Sequence, residues 1–174
     1  MSKLEELGFK KIENLAEYDF NPYKKIGKEW FLLTAGDEKG YNTMTASWGF
    51  AGVMWGKNTF TTVVRPQRYT KNYLDKNEYF TISFFGEEER EALSYCGSHS
   101  GKDVDKAKET GLRPVFFDGV TSFEQAKLVL VCKKAYVQPM TEEALLDKEA
   151  DAKWFADKDY HVQYIGEIVE AYTK

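Results

Sequence analysis

Three short segments concentrate residue types from which a site for a phosphorylated planar ligand could be built. The first, Asn42-Thr43-Met44-Thr45-Ala46-Ser47-Trp48-Gly49, interrupts a strand-like run with small hydroxyl residues and a glycine. Small side chains let a ligand approach backbone donors and acceptors, and Trp48 adds a face for stacking. The second, Arg65-Pro66-Gln67-Arg68-Tyr69-Thr70, sets two guanidinium groups and a hydroxyl at an expected strand-to-helix junction. Guanidinium forks match phosphate oxygens, and the first amides of a helix lack internal partners, so this junction suits an anion. The third puts Ser98, Ser100 and Gly101 ahead of an expected helix, with Lys106 one turn inside it. That is a second place for a phosphate to be held by amides and an ammonium group. Each segment alone also reads as ordinary structure: a strand with a solvated threonine face, arginines paired with carboxylates, a capped helix.

Other chemistries find less support. There is no G-x-G-x-x-G, G-x-S-x-G or H-E-x-x-H pattern. Gly97 to Asp103 resembles a P-loop only faintly, being one residue short between its glycines and carrying Asp where a magnesium-holding Ser or Thr belongs. Cys96 and His99 have the spacing of two zinc ligands, but the chain holds only 2 Cys and 2 His, so no metal site is expected. Cys132, in the apolar run Leu128 to Cys132, reads as a small buried hydrophobe.

The elements that must position these segments are mostly strands. Trp30 to Ala35, Tyr41 to Val53, Thr59 to Val64 and Tyr79 to Phe85 are rich in aromatic and β-branched residues, and turn clusters divide the first three. The first three are expected to form an antiparallel meander. Ala126 to Gln138 and His161 to Tyr172 are two long C-terminal strands, and Asp118-Gly119 is a hairpin turn. Short helices are expected over 67–75, from about 87 to 95 and over 103–110, the last stopped by Gly111. Residues 141–156 are helical or irregular. Strands with short helices between them and no βαβ alternation indicate one β-barrel domain over the whole chain.

Composition agrees. Of 174 residues, 16% are aromatic, which suits strands and flat ligands alike. The net charge of -4 argues against nucleic acid or an anionic membrane surface as partner. The N-terminus lacks an apolar signal region and no stretch nears the ~20 apolar residues of a membrane span, so a cytoplasmic protein is expected.

At the three segments the sequence resembles the flavin reductase-like family, whose members share an FMN-binding split barrel and include flavoredoxin and ferric reductases. The likeness runs from about Lys25 to Tyr172. It rests on Asn42-x-Met44-Thr45-x-Ser47-Trp48-Gly49, on Arg65-Pro66-x-Arg68-Tyr69-Thr70, and on Ser100 to Lys106 with Thr110-Gly111-Leu112 behind it. His161 ahead of Ile165-Gly166-Glu167 is the fourth marker. The resemblance implies a mainly β fold, an antiparallel split β-barrel of Greek-key type with short helical insertions. It implies FMN as cofactor, with Thr45, Ala46, Ser47 and Trp48 along its ring and ribityl chain. Arg65, Arg68 and Thr70 would meet the phosphate, completed by Ser100, Gly101 and Lys106. His161 takes the position that faces the flavin and, in reductase members, the nicotinamide; it is the catalytic candidate.

The same resemblance implies a homodimer that acts as an NAD(P)H-dependent flavin or ferric reductase. The alternative is a flavoredoxin-like electron carrier served by a redox partner protein, and a third class is a sensor that binds FMN or haem without turnover. Two departures stand out. Ala46 replaces an Asn found in some reductase members, removing one hydrogen bond to the ring edge. Tyr160 replaces an Asp often found before the His, which bears on the nucleotide interaction.

Overall fold

The computed structural model describes residues 2–174. The N-terminal segment holds α1 (Lys3–Glu6), β1 (Lys10–Lys11) and α2 (Pro22–Lys24), followed by a π-helical turn over Lys25–Glu29. Four strands come next: β2 (Phe31–Asp37), β3 (Gly40–Ala46), β4 (Gly49–Met54) and β5 (Lys57–Val64). Then come α3 (Thr70–Lys76), β6 (Tyr79–Phe84), α4 (Arg90–Ser98) and α5 (Lys106–Thr110). The chain ends with the hairpin β7 (Pro114–Phe117) and β8 (Val120–Phe123), the long β9 (Leu128–Pro139), α6 (Lys148–Trp154) and β10 (Val162–Thr173).

The main sheet has 8 strands in the order β3-β2-β6-β9-β10-β5-β4, with β1 added beside β10. Every pairing is antiparallel. Its two edges, β3 and β4, are consecutive in the chain and joined only by Ser47 and Trp48. A two-residue link spans at most ~10 Å, so the sheet must curl until its edges meet. The result is a barrel split along the β3–β4 seam. The expected single strand over 41–53 is therefore two strands that pair with different neighbours, and the meander is broken there. Gly49 makes the change of edge possible: its φ is 156°, and a side chain on it would run into the Thr61 carbonyl.

Strand periodicity divides the apolar residues between two clusters. Phe31, Leu33 and Ala35 of β2, with Leu128, Leu130 and Cys132 of β9, fill the barrel. Leu32, Val129 and Val131 point the other way, to a second cluster beneath α1, α4 and the β7–β8 hairpin. This is why Leu128 to Cys132 reads as an unbroken apolar run: it is buried on both faces.

Local signals place several element ends. Asp118 and Gly119 both have positive φ, 46° and 76°, as a two-residue hairpin turn requires. Gly111 ends α5 in the left-handed conformation at φ 73°. Helix α5 begins later than the expected 103, capped by Asp105, whose side chain accepts from the Lys108 amide. Among the described residues no helix is long and apolar enough to cross a membrane.

Candidate functional site

The seam of the barrel opens onto a cavity of ≈ 250 Å³ lined by Met44, Thr45, Ala46, Ser47, Trp48, Val63, Arg65, Arg68, Trp154 and His161. Ser47 and Trp48 lie between β3 and β4 and take no part in either strand ladder. Trp48 meets Trp154 edge to face, with ring centres 4.9 Å apart, and lies 5.3 Å from the His161 ring. Phe155 also meets His161 edge to face, with ring centres 5.3 Å apart. His161 is buried, and its Nδ1 is enclosed without a hydrogen-bond partner. Burial, with the charge of Arg65 behind it, pushes its pKa down to about 4, against a smaller upward pull from Asp159. At neutral pH the ring is uncharged, with one nitrogen donating and the other accepting.

A second cavity of ≈ 210 Å³ adjoins the first, sharing Met44 and Arg68. Its lining brings Arg68 and Thr70 together with Ser98, Ser100, Gly101 and Lys106. Helix α4 sets the far wall: Thr45 of β3 donates its hydroxyl to the Leu93 carbonyl at 2.5 Å, and Arg68 Nη1 donates to the Gly97 carbonyl at 2.9 Å. Asn42, buried on β3, donates to Thr70 Oγ1 at 2.7 Å. Gly101 packs so close to Asn42 that a side chain on it would overlap the Asn42 amide.

The electrostatics of this second cavity are one-sided. Lys106 is buried, and its Nζ donates to the Thr43 and Cys96 carbonyls at 2.8 and 2.7 Å. Desolvation brings its pKa down to about 8, and the charge of Arg68 acts in the same direction. Burial also lowers Arg68, although a guanidinium keeps its proton. Neither is in an ion pair among the described residues. A buried and a partly buried cation without a counter-ion among the described residues repel each other, and an anion between them would relieve that repulsion.

The structure thus assembles Thr45, Ala46, Ser47, Trp48 and His161 around the aromatic cavity, and Thr70, Ser100, Gly101 and Lys106 around the cationic one. Arg68 serves both. Arg65 is placed differently from the other residues assigned to the phosphate. It lines the aromatic cavity, with Nη1 2.6 Å from Asp159 and Nη2 donating to the Trp154 carbonyl at 2.8 Å. Sequence reasoning missed Trp154, which reaches the aromatic cavity from the connection between β9 and β10, and Asn42 as a lining residue of the cationic one. An aromatic residue at the end of a short connecting helix carries no local sign of its destination.

Residues 23–174 match the family described as flavin reductase like domain. The chain belongs to that family. No curated protein matches it. Among solved structures, flavoredoxin from Methanosarcina acetivorans is similar at 20% identity and TM-score 0.67, over 84% of this chain and 68% of that one. An FMN-binding domain of a flavin reductases-like enzyme from Shewanella baltica OS155 aligns at 17% identity and TM-score 0.66, over 95% and 76%. The NADH:FAD oxidoreductase of Streptomyces globisporus C-1027 aligns at 16% identity and TM-score 0.64, over 84% and 75%. At these identities the likeness is one of fold, and the fold is the split barrel of the flavin reductase-like family.

Proposed function

We propose that this member of the family binds FMN non-covalently across the two cavities and works as an NAD(P)H-dependent flavin or ferric reductase. The observation that carries the reading is the pair Arg68 and Lys106, cations without an ion-pair partner, set beside a cavity walled by indole and imidazole rings. A ligand with a flat ring at one end and a phosphate at the other satisfies both halves. When bound, the flavin supplies the electron-accepting chemistry; the protein supplies binding, orientation and electrostatics.

On this reading Arg68 and Lys106 hold the phosphate, with the Thr70 hydroxyl and the Ser100–Gly101 backbone around it. Amides at Ser47 and Trp48, outside both ladders, are available to the ring edge. Neutral His161 presents its ring in the wall of the aromatic cavity and holds a proton at one ring nitrogen without adding charge. Ala46 leaves that edge one side-chain donor poorer.

The alternative, an electron carrier reduced by a partner protein, gains support from the Trp48–Trp154 pair, which narrows the aromatic cavity where a nicotinamide would enter. Anaerobic addition of NADH and of NADPH to the FMN-loaded protein separates the two. Rapid bleaching of the flavin absorbance by either nucleotide is the expected result. No bleaching by either, with rapid reduction by a redox protein, would establish the carrier.

We also propose a homodimer. The sheet edge β4 exposes Phe50 and Val53, and the turn after it Trp55, at 52, 73 and 58% of their surface, and Trp55 lies 6.4 Å from exposed Tyr136. An apolar area of this kind marks an interaction surface.

A further inference from the structure

The connection over 141–160 forms a strap that supplies Trp154 to the wall of the aromatic cavity. Its own structure is largely self-contained. Asp147 caps α6 through the Glu149 and Ala150 amides, Tyr160 donates to Asp151 at 2.7 Å, and Lys158 pairs with Glu142 at 2.8 Å. Phe155 is its buried residue, stacked on Tyr160 at 4.9 Å. Among the described residues, the hydrogen bonds that tie the strap to the barrel all come from two side chains. Arg65 donates to Asp159 and to the Trp154 carbonyl at 2.6 and 2.8 Å, and Gln67 donates to the other Asp159 oxygen at 2.7 Å. The Arg65 guanidinium also lies 5.4 Å from the centre of the Phe155 ring.

We propose that Trp154 is a specificity-determining residue, selecting the flat molecule that exchanges electrons at this site, and that Arg65 is the positioning residue that latches it there. This rests on the flavin reading above. With its Nη1 and Nη2 groups already engaged, Arg65 belongs to the strap, and the phosphate is left to Arg68 and Lys106. Trp154 forms a right-angled corner with Trp48, the two rings in contact at 4.9 Å, so a flat molecule must reach the cavity along this corner and bulkier groups are hindered there. An arginine suits the latch because one planar fork can meet a carboxylate and a carbonyl at once, which a lysine ammonium does less well.

Two measurements on Arg65→Ala, Arg65→Lys and Trp154→Ala test this. In the ligand-free protein, amide hydrogen exchange over 148–158 is expected to rise in Arg65→Ala, to recover in part in Arg65→Lys, and to stay unchanged in the barrel strands. Unchanged exchange in the strap overturns the latch whether or not the protein binds FMN. In the FMN-loaded protein, Trp154→Ala and Arg65→Ala are each expected to shift the kcat/KM ratio of free riboflavin to a small quinone by roughly 10-fold. The double variant should go little further than either alone. An unshifted ratio in Trp154→Ala overturns its role in selection. A loss of FMN affinity in Arg65→Ala as large as that in Arg68→Ala returns Arg65 to the phosphate and overturns the latch. Absence of FMN binding in the unaltered protein removes the flavin reading, and selection by Trp154 with it, while exchange still decides whether Arg65 latches the strap.

Discussion

His161 and Lys106 are both ionisable groups that the fold holds away from their ordinary protonation, and each makes pH a probe of the site. For His161 the folded pKa, about 4, lies below the ordinary 6.5. The unfolded chain takes up a proton where the folded one resists, so stability falls as pH drops from about 6.5 to about 4. The loss attributable to this residue should reach about 3 kcal/mol, at 1.36 kcal/mol per pH unit. Urea midpoints of the ligand-free protein between pH 7 and pH 4 measure it, and His161→Gln should flatten that slope. For Lys106 the ammonium form persists in the free protein only up to pH about 8. Affinity for FMN is therefore expected to weaken as pH rises beyond that point, and Lys106→Met should bind more weakly and lose the dependence. Both positions were marked in the sequence, Lys106 because phosphate needs cations and His161 through the family resemblance. Their burial was not, since it comes from strands distant in sequence.

At the scale of elements, the seam between β3 and β4 decides where a ligand can enter. Gly49 allows the chain to leave one sheet edge and join the other. Gly49→Ala should destabilise the fold by roughly 1–3 kcal/mol, the range for forcing a side chain into such backbone. Chemical denaturation checks this, and a change under ~0.5 kcal/mol, the range of an ordinary surface substitution, would show that the edge switch does not depend on glycine. Residues 41–53 read as one strand because β-favouring side chains run through Ser47 and Trp48. The break depends on which neighbours β3 and β4 pair with, and such pairing is not a local property. The turn at Asp118-Gly119 and the stop at Gly111 were legible because positive φ is a demand on single residues. The strap was legible only as a helical or irregular stretch, since its position comes from Arg65 and Gln67, more than 70 residues away in sequence.

For the whole molecule, one barrel with apolar clusters inside and outside its wall leaves the β4 face uncovered. Trp55→Asp should turn a dimer into a species near the chain mass of 20.1 kDa by sedimentation. A monomer before substitution would contradict the proposed assembly. The account as a whole depends on one ligand spanning both cavities, its ring beside Trp48 and His161 and its phosphate between Arg68 and Lys106. Equilibrium titration with FMN and with riboflavin, which lacks the phosphate, tests this most directly. FMN is predicted to bind roughly 10- to 100-fold tighter, as charge-assisted contacts worth ~1.5–3 kcal/mol imply, and Arg68→Ala should remove most of that advantage. Equal affinities for the two ligands, or an advantage untouched by Arg68→Ala, would contradict it.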